Sequence, residues 1–239
     1  VLEAVEQAGV LLQVGFMRRF DPAYQRAKAL IDAGRIGQPV TFKAVGRDPA
    51  CPPQAYADPA HSGGLLVDMA IHDFDLARWL MASEVERVSA DGGVLVCEQL
   101  RQVGDIDNAV VNLRFASGAL GNVEVSRTAA YGYDIRTEVL GSAGAVTVGA
   151  PPSAADVEVR TPVTEAPDAD DTPHFVRRFG VAYRAQIEHF VDCVQRQRAP
   201  LVGGADALAA IEIAHAATVS VRRGTPVMVA ENQTVASHG

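Results

Sequence analysis

The sequence predicts an α/β chain: the end of a doubly wound unit, followed by a mostly antiparallel sheet with helices before and after it. Three observations predict this. Residues 1–7 have helical spacing, Gly9 follows as a C-cap, and the short apolar run Leu11-Leu12-Gln13-Val14-Gly15 reads as a buried strand, which together resemble a last αβ unit. Beyond Leu80 the apolar period changes from 3.6 to 2, and the alternation recurs in runs separated by glycine-rich turns. Two long helical stretches, 181–195 and the one opened by Asp206, then close the chain. Residues 1–15 therefore read as the end of one domain and 16–239 as a second.

Composition narrows the function classes. A hydrophobic fraction of 48% with 21% charged residues is that of a globular protein able to bury a sizeable core. The net charge of −8, with no basic patch, argues against a nucleic-acid partner. No apolar run reaches transmembrane length and no signal peptide opens the chain, so the expectation is a soluble, cytoplasmic protein without a membrane partner. Cys51, Cys97 and Cys193 are odd in number and far apart. Their spacing suggests no metal site and no disulfide framework, and points to a reducing compartment.

Taken in order, Phe16-Met17-Arg18-Arg19-Phe20 stands at the C-terminal end of the first strand, where open α/β sheets bind ligands. The two arginines suit an anionic or polyhydroxylated ligand, or a salt-bridged pair. Asp21-Pro22 is an N-cap with proline at the first helical position, and the helix carries Ala23, Ala27, Leu30 and Ile31 before stopping at Gly34. Val40, Phe42 and Ala44 alternate along a strand toward Gly46 and Arg47; a glycine at 46 offers no side chain to a pocket there. Residues 48–62 hold four prolines and read as a long functional loop or lid.

The segment 63–80 reads as one helix. At 100° per residue, Asp68, His72, Asp75 and Trp79 fall on one stripe, while Leu66, Ala70, Phe74 and Ala77 make the opposite side apolar. Two carboxylates and an imidazole in low dielectric form either a satisfied polar network or a reaction site.

Residues 85–91 and 94–96 read as strands split by Gly92-Gly93. Residues 109–115, 121–126, 133–139 and 145–148 alternate, with Ser117-Gly118 and 141–144 as turns, and Val157 and Val159 mark an edge strand. The sheet's polar face is either solvated or an interface. Residues 161–173 are acidic and proline-rich, as a surface loop would be. In 181–195, Tyr183, Ile187, Phe190, Val191 and Val194 share a face; in the last helix His215 lies between Ile211 and Val219 as a packed core histidine would. Residues 225–230 read as a last strand.

The residues 15–21, Gly63-Gly64-Leu65-Leu66-Val67-Asp68 and Ile71-His72-Asp73-Phe74-Asp75-Leu76 resemble the Gfo/Idh/MocA family of NAD(P)-dependent sugar and polyol oxidoreductases. Met17 in the arginine segment, Tyr131-Gly132-Tyr133-Asp134, and Arg177-Arg178-Phe179 followed by Ala182-Tyr183 narrow the resemblance to its inositol 2-dehydrogenases. The resemblance implies a Rossmann domain and a mostly antiparallel open sheet with helices on one face, the helix near 205–224 packing back toward the first domain. It implies NAD as cofactor, with NADP as the alternative, and a homo-oligomer, tetramer or dimer, through the open sheet face. His72 would be the acid/base at the alcohol being oxidised and Asp68 its neighbour at the reacting hydroxyl. Arg18, Asp75, Tyr131 and Tyr133 would hold substrate, and Met17 would touch the cofactor. The glycine-rich dinucleotide fingerprint and the Glu-Lys-Pro motif are absent from this sequence. The resemblance places both, and with them the main cofactor site, upstream of Val1. The chain is therefore expected to start inside the family's first domain and to be inactive by itself. A relative acting on another sugar or amino sugar, and a substrate-binding or oligomerisation module without cofactor chemistry, are the alternatives.

Overall fold

The computed structural model describes residues 1–149 and 173–229. Helix α1 (Leu2–Ala8) ends at Gly9, whose φ of 61° supplies the left-handed cap. A single-turn 3₁₀ helix, Met17–Phe20, leads into α2 (Pro22–Asp32), capped by Asp21, which accepts from the amides of Ala23 and Tyr24. Strand β1 (Pro39–Arg47) is followed by the short helices α3 (Gln54–Ala57), α4 (Pro59–Ser62) and α5 (Leu65–Asp68), then α6 (Ile71–Met81). Strands β2 (Val85–Gly93), β3 (Asn108–Phe115), β4 (Leu120–Ser126), β5 (Asp134–Gly141) and β6 (Gly144–Val148) follow, then α7 (His174–Arg196), α8 (Gly204–Arg223) and β7 (Val227–Met228).

The strands form one sheet in the order β6-β5-β1-β4-β3-β2-β7. All neighbours run antiparallel except β1 and β4, which run parallel from Thr41 opposite Leu120 to Arg47 opposite Ser126. That one parallel pair decides where chemistry can occur. It brings the C-terminal ends of β1 and β4 together at one end of the sheet, beside the start of β5, where Arg47 faces Asp134. Helices α2, α6 and α8 pack on one face of the sheet. Alternation along β3 buries Ala109, Val111, Leu113 and Phe115 under them and leaves Val110, Asn112 and Arg114 outward. Phe42, Val123, Phe74, Leu76 and Leu80 complete the core. Helix α8 is long and apolar enough to cross a membrane, but it buries Ala210, Ile213, Ala214, Ala216 and Ala217 against the sheet and α6.

Several expectations are corrected. Residues 11–15 form no strand: no ladder partner exists among the described residues, and Val14 instead donates its amide to Val202 O at 3.0 Å. Residues 94–96 are not a strand either, because the amides of Leu95, Val96 and Cys97 all turn onto the Asp107 carboxylate. The 63–80 helix is broken at Met69-Ala70 into α5 and α6. Asp206 sits at N3 rather than at the cap, and reaches back to the Gly203 amide at 3.0 Å. His215 is exposed, not packed in the core. On α7 the buried residues are Phe179, Ala182 and Cys193, whereas Ile187, Val191 and Val194 are exposed. Cys51 and Cys97 form a disulfide with Cα atoms 5.8 Å apart, against the expectation from their spacing of no disulfide framework and a reducing compartment; only Cys193 is free, and it is buried. The expected edge strand at 157–159, the acidic loop over 161–172 and the C-terminal tail lie outside the described residues.

Candidate active site

The cleft opens at the paired C-terminal ends of β1 and β4 and has a volume of about 480 Å³. Its floor is built by the 3₁₀ turn and the start of α6, which meet through two ion pairs. Arg18 Nη1 donates to Asp73 Oδ1 at 2.5 Å, and both residues are almost fully buried. Arg19, the next residue, turns the other way and grips Asp75 through Nε and Nη2 at 2.8 and 2.6 Å, adding Asp206 at 2.9 Å. The Arg19 guanidinium also lies over Trp79, 5.7 Å from the ring centroid. The two adjacent arginines thus have opposite fates: Arg18 lines the cleft, and Arg19 ties the 3₁₀ turn to α6 and α8.

His72 stands between these ion pairs and the cleft. Its ring meets Phe16 edge-on at 5.9 Å. Nδ1 is buried without a partner, which leaves Nε2 as the nitrogen toward the cleft. Burial, and secondarily the charge of Arg18, push the imidazole down to about 3, so it is a neutral base at any ordinary pH. Burial also holds the Tyr133 phenol up to about 12, keeping it a proton donor in the cleft wall.

Asp68 lies on the cleft wall with no hydrogen bond to His72. Its Oδ1 accepts from Tyr56 Oη at 2.9 Å and its Oδ2 from Arg127 Nη2 at 2.8 Å. Across the cleft, Asp48 follows β1; its amide donates to Ser126 O, and its own carbonyl accepts from the Ala129 amide. Burial raises the pKa of its carboxyl, an effect opposed first by His174, whose Nε2 is 3.8 Å away. The His174 ring in turn packs on Tyr133 with centroids 4.6 Å apart.

The structure therefore gathers Met17, Arg18, Asp68, His72 and Tyr133 around one cleft. It does not bring Asp75 or Tyr131 there. Asp75 was placed with His72 by helical spacing, but both its oxygens are taken by Arg19, and it lines no part of the cleft. Tyr131 Oη donates to Asp134 at 2.8 Å and accepts from Arg47 at 2.7 Å, outside the lining. Val1, the residue before which the main cofactor site is expected, is 93% exposed and also lies outside the lining, so the start of α1 contributes no side chain to the cleft. Asp48, Tyr56, Asp73, Arg127 and His174 were not singled out from the sequence. Asp73 follows His72 directly, yet nothing in the spacing shows that it, rather than Asp75, pairs with Arg18. Gly46 has a packing reason: a Cβ there would lie 3.0 Å from Asp73 Oδ2, so glycine lets the Asp73 carboxylate approach β1.

Comparison with known proteins adds the family. The family described as "Oxidoreductase family, C-terminal alpha/beta domain", Gfo/Idh/MocA, matches residues 28–229. The chain belongs to the Gfo/Idh/MocA oxidoreductases. Within this family it is 43% identical to the scyllo-inositol 2-dehydrogenase (NAD(+)) of Bacillus subtilis (strain 168), over 95% of this chain and 65% of that protein. It is 40% identical to the myo-inositol 2-dehydrogenase of Thermotoga maritima, over 97% of this chain and 68% of that protein. Among solved Gfo/Idh/MocA structures, the scyllo-inositol dehydrogenase of Lactobacillus casei with bound NAD(H) and scyllo-inositol superposes with a TM-score of 0.79 at 27% identity, covering 95% of this chain and 68% of that one. The chain thus spans about two thirds of the length of these relatives. A mostly antiparallel sheet with helices on one face is what the resemblance implied for this family's C-terminal domain.

The family implies NAD, and the residues present can be tested against it. Met17, the Arg18 guanidinium and the open edge of His72 fit the reactive, ring-bearing end of such a cofactor, lying on the floor of a cleft deep enough for a small polyol. They do not fit its pyrophosphate, since the sequence from Val1 onward holds no GxGxxG turn.

Proposed function

We propose that this chain supplies the substrate half of an NAD-dependent inositol 2-dehydrogenase, which oxidises a secondary alcohol of an inositol. The observation that carries this reading is His72: a neutral imidazole with one nitrogen open to a polyol-sized cleft whose walls carry Asp68, Tyr133 and Asp48. A ring hydroxyl at Nε2 can give up its proton to His72. Asp68 accepts a hydrogen bond from the same or the adjacent hydroxyl and fixes which C–H faces away from the imidazole. Arg18 places a permanent positive charge beside the developing alkoxide, stabilising it, while the same charge holds the resting imidazole neutral. Tyr133 donates and Asp48 accepts, as a polyol's row of hydroxyls requires. NAD, when bound, supplies the hydride acceptor.

The names of the relatives support this reading, as do the residues that line the cleft. The domain reading goes with it: residues 1–15 belong to the cofactor domain, and 16–239 form the substrate and assembly domain. A homo-oligomer through the open sheet face and a cytoplasmic location complete the proposal.

The test is a panel of inositol isomers and hexoses with NAD and NADP, run on the full-length protein. We expect turnover of an inositol with NAD, and a loss of at least about a thousandfold in kcat for His72→Ala, with NAD affinity within twofold of the parent. Parent-like turnover in His72→Ala would remove His72 from the chemistry, and activity confined to hexoses would reject inositol as substrate.

A further inference from the structure

Asp68 is held by a residue that never reaches the cleft. Arg127 follows β4 directly and is 1% exposed, the largest of the fully buried side chains among the described residues. Its Nη1 donates to Asp105 Oδ2 at 2.6 Å and its Nη2 to Asp68 Oδ2 at 2.8 Å. Asp105 also accepts the Leu65 amide at 3.0 Å, at the first residue of α5, the helix that ends at Asp68. One planar guanidinium thus joins two carboxylates at the two ends of a four-residue helix, and of the three side chains only Asp68 opens onto the cleft.

A buried guanidinium needs carboxylate partners, and Asp105, itself buried, meets that need at 2.6 Å. The second contact is what a purely structural arginine does not require. It also falls at the last residue of α5, immediately before the Met69-Ala70 break, with Met69 at φ −107° and ψ −55°. Without Arg127, the Tyr56 hydroxyl is the only described donor to Asp68, and Tyr56 is 57% exposed.

We propose that Arg127 is a positioning residue for the dehydrogenase reaction, its Nη2 fixing the Asp68 carboxylate so that the remaining lone pairs face the hydroxyl presented to His72. The inference rests on the function proposed above. A lysine at 127 keeps the charge but lacks the planar fork that spans two carboxylates.

The experiment is a double-mutant cycle in the full-length protein, with NAD and the polyol that the parent oxidises. Arg127→Lys is expected to melt cooperatively, to bind NAD as the parent does, and to lose about tenfold or more in kcat. In the Asp68→Asn background the same substitution is expected to change kcat by less than about twofold, because the residue it acts through is already gone. Equal losses in both backgrounds, or a parent-like kcat in folded Arg127→Lys, overturn the proposal. Should Arg127→Lys fail to fold, Asp105→Asn takes its place in the cycle. It keeps an acceptor for the Leu65 amide but withdraws the other anchor of Arg127, and non-additivity with Asp68→Asn supports the relay while additivity overturns it. A parent that oxidises no polyol rejects the function and this inference together; an active parent with additive losses rejects the inference alone.

Discussion

His72 is a neutral imidazole because of what surrounds it, and that can be read from stability as well as from turnover. Its folded pKa lies near 3 against an ordinary 6.5, lowered by burial and by Arg18. Above pH 6.5 the imidazole is neutral in both folded and unfolded chains and contributes no pH dependence. As pH falls below that, the unfolded chain takes up a proton that the folded chain refuses, so stability is lost at about 1.4 kcal/mol per pH unit. His72→Gln removes this term. Between about pH 7 and pH 5 the unfolding free energy of the parent should fall by about 2 kcal/mol more than that of the variant, measured by urea titration. Parallel curves would show that His72 titrates normally. The residue itself was legible: an imidazole one turn from a carboxylate in an apolar helix is rare enough to be noticed. Its partners were not, because the choice between Asp73 and Asp75 as the mate of Arg18 depends on how the 3₁₀ turn meets α6, and no spacing rule encodes that contact.

At the scale of elements, the sheet was legible and the break in the central helix was not. Alternation in β3, β4 and β5 specifies their faces, and the tight turn after β3 its pairing with β4, but not the insertion of β1 between β4 and β5. The sequence Asp68-Met69-Ala70-Ile71-His72 contains neither glycine nor proline, so nothing local announces that α5 stops and α6 restarts. The 48–62 loop was expected, from its prolines, to be a functional loop or lid, but its tether was missed. Cys51 and Cys97 are 46 residues apart, and the fold alone brings them together, with Cys97 held by the Asp107 turn. Cys51 adjoins cleft-lining Ala50 and Pro52, and the same loop carries Tyr56 onto Asp68. Reduction should therefore loosen the cleft wall. In this 239-residue chain we expect one thiol to titrate in the denatured, untreated state and three after reduction. The chain-entropy estimate for a loop of 46 residues gives a stability loss of up to about 4 kcal/mol. Three thiols in the untreated protein, or a Cys51→Ser variant that melts with the parent, would show that the bond does not support the loop.

At the scale of the molecule, the sheet has two unlike faces, and among the described residues the helices cover only one. On the open face Thr41 pairs with Leu120 on one side and Leu140 on the other, which forms a Leu-Thr-Leu strip across three adjacent strands. Leu120 and Leu140 are 52% and 45% exposed, and the strip is flanked by Lys43, Asn122, Glu138 and Arg114. Two exposed leucines about a threonine, with a charged and polar margin, on a sheet face that the described helices leave bare, have the composition of an interface core within its rim. A two-fold contact would set each strip on its copy, and the charges beside it would fix the register. Because the cleft opens at the sheet's end, such a contact leaves it accessible while stiffening β1 and β4, whose ends hold Gly46 and Arg127. Leu120→Glu combined with Leu140→Glu places like charges on either side of Thr41 and, across a two-fold axis, against their copies. We expect light scattering to give an oligomeric mass for the full-length parent and a monomeric mass for the double variant, with circular dichroism unchanged. A monomeric parent, or a double variant of unchanged mass, would locate assembly elsewhere or rule it out.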